Sequence, residues 1–141
     1  MSETKYLFER DWTRGTSQVK FRVDETHRSF CYFIGKGTMD GARAFLRFAD
    51  EAIVEFGDEY LTTSLVDLSQ LHSAPLRSQF LLGKWLFKNK RYIAKIAVFG
   101  GKPYEMAIAR AVMKIARMKQ VGFFKRGEEA RAFLGFPADV G

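Results

Sequence analysis

The chain has 141 residues, of which 47% are apolar and 15% aromatic, and it carries a net charge of +7. That balance excludes a disordered or low-complexity chain and supplies enough apolar material for a core of its own, so one domain over residues 1–141 is expected. The single cysteine, Cys31, lies in an apolar run, which leaves no disulfide within the monomer and no CxxC metal or redox motif.

The first third reads as strands. Tyr6 to Trp12 is rich in aromatics, and Arg14-Gly15-Thr16 reads as a turn. From Gln18 to Val23 the pattern alternates, with Val19, Phe21 and Val23 on one face and Lys20 and Arg22 on the other. That period of two marks a half-buried strand. Residues 24–28 form the next turn, and Phe30 to Ile34 is a denser apolar run suited to a more central strand. Together they predict an antiparallel meander.

The period then changes. Asp40 is placed to cap a helix running to about Phe56 and stopped by Gly57, with Phe45, Ala49, Ala52, Ile53 and Phe56 on its core face. Leu61 to Leu68 reads as a strand, Pro75 to about Lys88 as a helix and Ile93 to Phe99 as a buried strand. Pro103 to Met118 reads as a helix with Tyr104, Ala107, Ala111, Ile115 and Met118 on its buried stripe. Val121 to Phe124 is a short strand and Gly127 to Leu134 a short helix. Strands followed by β-α-β-α-β-α predict an α/β fold: a mixed sheet, antiparallel first and parallel later, covered by about four helices. The expected core includes Val19, Phe21, Ile34, Leu65, Val66, Ile96, Val98, Ala107, Ala111 and Phe123.

Charge is unevenly spread. Residues 1–74 hold 9 basic and 12 acidic side chains, and residues 75–141 hold 14 basic and 4 acidic. Such a bias fits either an anionic partner or a solvated basic face. Arg110, Lys114 and Arg117 recur on one helical face, and Lys88, Lys90 and Arg91 cluster at a helix end, where cations are favourable. No stacking aromatics or reading module accompany them, so no specific nucleic acid is expected. Met-Ser-Glu-Thr-Lys at the start has no signal-peptide core, and no window reaches the roughly 18 uncharged apolar residues of a membrane span. A cytoplasmic location is the expectation.

The stretch Leu65-Val66-Asp67-Leu68-Ser69-Gln70-Leu71 resembles the strand-and-loop signature of STAS domains, the fold of bacterial anti-sigma-factor antagonists. The run Ile93 to Gly100 resembles the next strand of the SpoIIAA-like branch. Lys119 to Phe124, followed by Glu128-Glu129-Ala130, resembles its closing strand and helix. The ordered set spans about residues 17–135. The resemblance implies a partner-switching domain in which a serine at the start of a helix is phosphorylated, adding about −2 charge to a docking surface. Here that position falls near Leu76, beside Arg77, so the usual phosphoacceptor is missing; Ser73 and Ser78 are the possible substitutes, with Ser73 otherwise an ordinary N-cap. The SpoIIAA-like branch is also similar in topology to CRAL-TRIO lipid-binding domains, which implies a carrier of an apolar molecule as an alternative.

Candidate chemistry is sparse. His27 and His72 have no companion ligands at metal or triad spacing, so no metal, cofactor or catalytic centre is expected. Asp67 at a strand end is expected to tie down the loop after it. Gly100-Gly101-Lys102 joins a buried strand to a helix start, a place where an anion can bind, although the spacing matches neither nucleotide-binding glycine motif. The helix after Pro75 carries Phe80, Leu81, Leu82, Trp85, Leu86 and Phe87 on more than one side. It therefore needs a second burial surface: a protein partner, a homodimer, a greasy ligand, or the N-terminal segment with Trp12. Ser73, Leu76, Phe80 and Trp85 are the candidate contact residues. The sequence points to a non-enzymatic regulatory or protein-interaction domain, or to a carrier or sensor of a small apolar or lipid-like ligand.

Overall fold

The computed structural model describes residues 4–140. The elements in order are β1 (Tyr6–Arg14), β2 (Ser17–Asp24), β3 (Arg28–Lys36), α1 (Met39–Phe56), β4 (Thr62–Asp67), β5 (Leu71–Ser73), α2 (Ser78–Asn89), β6 (Ile93–Phe99), α3 (Pro103–Ala116), β7 (Val121–Phe124) and α4 (Gly127–Leu134). The sheet runs β1-β2-β3-β4-β6-β7. The first two pairings are antiparallel and those from β3 onward are parallel. This is the mixed sheet with four helices that the alternation of periods predicts. The short β5 pairs in parallel with the end of β3, through Gly35 and Lys36; the sequence reads there as loop, because three residues are too few to show a period.

Side chains alternate across the sheet and so divide the core in two. Cys31, Ile96 and Val98 lie on the face covered by α1, α2 and α3. Phe30, Leu65, Ala97 and Phe99 lie on the other, under α4 and the tail residues Phe136 and Val140. Of the expected core, Val19, Phe21, Leu65, Ile96 and Val98 are buried, while Ile34, Val66, Ala111 and Phe123 are half-buried. Ala107 is exposed.

Three local expectations need correction. Thr38, not Asp40, caps α1: its Oγ1 accepts from the Gly41 N–H at 3.0 Å. Asp40 sits in the first turn and pairs with Arg14 and Arg43 in solvent, where such pairs add little. The inward face of α1 and the stop at Gly57 are as expected. Helix α2 begins at Ser78, three residues after Pro75; residues 75–77 form tight turns whose carbonyls accept from Ser78, Gln79 and Phe80. Helix α3 is rotated by about one residue, roughly 100°, from the expected stripe. It buries Glu105, Met106, Ile108, Val112, Met113 and Ala116, and it exposes Tyr104 and Ala107. Alanines flank both stripes, and the one with the bulkier side chains removes more apolar area from water.

The turn from β2 to β3 is held by a single buried carboxylate. Asp24 is 2% exposed. Its Oδ1 accepts from the Thr26 N–H, the Thr26 hydroxyl and the Arg28 N–H, and its Oδ2 accepts from Arg28 Nε at 2.7 Å. Those bonds hold His27 in a left-handed conformation, φ 62°. Asp24→Ala removes every acceptor and leaves Arg28 without its partner. It is expected to lower stability by about 3 kcal/mol in urea unfolding; a change within about 0.5 kcal/mol would contradict this reading of the turn.

Candidate functional site

The helical face of the sheet is not filled. Between it and the three helices lies an apolar cavity of about 160 Å³. Its floor is built from Val19, Cys31, Phe33, Val66, Ile96 and Val98 of the strands. Its walls are Phe45 and Leu46 from α1, Leu82, Trp85 and Leu86 from α2, and Ile108, Ala109 and Val112 from α3. Gly37, Ala74 and Pro75 place one end at the carboxyl ends of parallel strands, where ligands of open α/β sheets bind.

The hollow follows from the residues chosen. At Gly83 a Cβ would stand 2.7 Å from the Ile115 side chain, so only glycine lets α2 approach α3 this closely. Helix α1 presents Gly41 and Ala42 to the same space, and they are too small to fill it. Trp85 spans the gap instead: its Nε1 donates to Asp50 Oδ1 at 2.7 Å, joining α2 to α1. A second cavity of about 40 Å³ lies deeper, beside Tyr60, Thr62 and Ser64. There Thr62, Ser29 and Ser64 form a chain of buried hydroxyls. The Thr62 hydroxyl also bonds the His27 carbonyl, and the Tyr60 hydroxyl is left without a hydrogen-bond partner among the described residues.

Nucleophilic chemistry finds little support in this space. Burial pushes the Cys31 thiol up to about 12, so it is a wall and not a thiolate. Burial likewise raises Tyr60 to about 12. His27 packs its ring on Phe56 and Tyr60, and His72 is exposed on β5. No group of three metal-ligating side chains occurs among the described residues. One cavity residue escaped the sequence reading. Glu105 is 4% exposed and lines the space. On a helical wheel it shares a face with Ile108, Ala109 and Val112, but rotating α3 onto the wrong stripe hid it.

The expected contact residues separate. Leu76 and Phe80 are exposed, at 56% and 61%. Trp85 is half-buried and belongs to the cavity wall, so it is no free docking residue. Trp12 packs on Gly41 of α1. Ser73 ends β5, exposed, and is not an N-cap; α2 has no side-chain cap at all. Ser78 is buried and its hydroxyl donates to the Pro75 carbonyl at 2.7 Å.

The Gly100-Gly101-Lys102 loop is accounted for by packing. Gly100 has φ 84°, a Cβ there would meet Ser69 at 2.8 Å, and its N–H already donates to the Phe124 carbonyl. Gly101 lies against Met106 and Leu68. Glu105 puts a negative charge in the first turn of α3, where a bound anion would meet repulsion. The loop is a tight turn whose glycines are taken up by packing. Asp67 does hold the preceding loop, its Oδ1 accepting from the N–H and hydroxyl of Ser69.

No family model and no curated protein matches the chain. Among solved structures it is similar to an uncharacterised protein of the DUF3478 family with a SpoIIAA-like fold, from Shewanella loihica PV-4. That likeness covers 95% of this chain and 98% of the other, with 14% identity and a TM-score of 0.56. The chain has a SpoIIAA-like fold. At that identity the likeness speaks for the fold alone, and the resemblance drawn from Leu65–Leu71, Ile93–Gly100 and Lys119–Ala130 agrees with it. Within the SpoIIAA-like sheet, Leu65–Asp67 lies in β4, Ile93–Phe99 in β6 and Val121–Phe124 in β7. No helix among the described residues is long and apolar enough to cross a membrane.

Proposed function

We propose that this chain is a non-enzymatic binding domain that carries or senses a small apolar molecule held between the sheet and helices α1, α2 and α3. The observation that carries this reading is the cavity of about 160 Å³ with a mainly aliphatic and aromatic lining. Apolar cavities of roughly 150 Å³ accept benzene-sized guests. Drug-sized ligands need about 300–1,000 Å³, so the volume favours a small guest over an intact lipid. Leu76 at the position that the STAS resemblance gives to the phosphoacceptor supports control by ligand in place of control by phosphate.

The test is an NMR titration with toluene, following the methyl groups of Val98, Ile108 and Leu82. Saturable shifts are expected with Kd on the order of 1 mM, equivalent to about 4 kcal/mol. Ala109→Leu, which fills the space from α3, should abolish them while circular dichroism stays unchanged. Unmoved methyl signals up to the solubility limit of toluene would end the proposal.

A second reading rests on a separate observation. Leu76 and Phe80 are exposed around the start of α2, and they support a docking face for a protein partner or a second copy of the chain. The paired substitutions Leu76→Ser and Phe80→Ser should then abolish self-association, or binding to that partner, and leave toluene binding intact. Association that survives both changes would remove this face from consideration.

A further inference from the structure

Among the described residues two carboxylate side chains are buried, and they are treated differently. Asp24 is 2% exposed and accepts hydrogen bonds from Thr26 and Arg28. Glu105 is 4% exposed, yet among the described residues its side chain makes neither a hydrogen bond nor a salt bridge. Among the described residues the Tyr60 hydroxyl is the one fully buried side-chain polar atom without a partner, so the Glu105 carboxylate borders open space, and an acid with no protein partner on an apolar wall is free to meet a ligand. Glu105 is also the only acidic residue on the cavity wall, and Lys36, the one cation there, is exposed and unpaired with it.

Position decides what Glu105 is suited to meet. It stands in the first turn of α3, where free N–H groups and the helix dipole favour a negative charge. A carboxylate accepts hydrogen bonds and attracts cations; it repels another carboxylate or a phosphate. The neighbouring wall, Ile108, Ala109 and Val112, is apolar. The site thus joins one acceptor of negative charge to an apolar body of about 160 Å³.

We infer that the cavity selects small aromatic or aliphatic amines, with the protonated amine paired to Glu105 and the hydrocarbon part lying between Leu82, Trp85 and Val98. The inference rests on the cavity reading above and adds the chemical class of the ligand. Pairing gives the carboxylate a charge-assisted hydrogen bond beside an apolar wall, and such bonds are strict about their geometry. Toluene satisfies the apolar wall alone. Benzylamine satisfies both parts, benzyl alcohol offers a neutral donor of the same shape, and benzoate offers the wrong charge.

The experiment compares these four molecules by NMR titration and thermal shift, on the wild type and on Glu105→Gln and Glu105→Leu. Circular dichroism confirms that each variant is folded. In the wild type, benzylamine should bind at least ten times more tightly than benzyl alcohol, and benzoate should not bind. In both variants the ratio of benzylamine to toluene affinity should fall at least tenfold, with toluene binding kept. Equal binding of benzylamine and benzyl alcohol, or a ratio unchanged in the variants, would overturn the role of Glu105 while leaving the apolar cavity reading in place. Failure of toluene and benzylamine alike to bind the wild type would overturn both.

Discussion

The close contact between α2 and α3 at Gly83 sets the geometry on which the rest depends. With no side chain there, the Ile115 side chain packs directly against the α2 backbone. Helix α2 is drawn toward α3 and away from α1, and the Trp85–Asp50 hydrogen bond is the brace that still joins it to α1. What remains between the braced helices and the sheet is the cavity. A guest bound there would stabilise the fold by mass action.

The opposite face shows that this is no general looseness of the fold. Phe30, Leu65, Ala97 and Phe99 meet Ala130, Phe136 and Val140 in a closed core. Aromatic pairs extend it, Phe30 with Phe136 and Phe124 with Phe133. Arg28 links the β2–β3 turn to the C-terminal tail, bonding Asp24 while its guanidinium lies 5.5 Å from the Phe136 ring. A sheet packed tightly on one face and left hollow on the other places its free volume where three helices converge. Exposed basic side chains on α3 are partly occupied in the same scaffold: Arg110 lies over Phe123 and Arg117 over Phe87.

Much of the architecture was legible in the residues. Alternation at Val19, Phe21 and Val23, the apolar run Ile93 to Phe99, and the stop at Gly57 led to the right strands, helices and sheet type. What failed had physical causes. Asp40 and Thr38 both suit a cap, and only the path of the chain decides which oxygen reaches the Gly41 N–H. Alanines at 107 and 111 made two stripes of α3 equally plausible, and the error hid Glu105. The apolar surplus of α2 asks for a second burial surface, and the fold divides it: Leu82, Trp85 and Leu86 turn to the cavity while Phe80 and Phe87 stay exposed. A void leaves no mark on a single sequence, because the residues around it are the same ones that build a filled core.

The most direct measurement is a crystal structure of the protein under xenon pressure. Xenon binds apolar cavities and scatters strongly, so it reports the space without a designed ligand. The account predicts an anomalous peak enclosed by Phe45, Leu82 and Val98, absent from Ala109→Leu crystals. A space closed by the side chains around it, or filled by ordered water and empty of xenon, would contradict it.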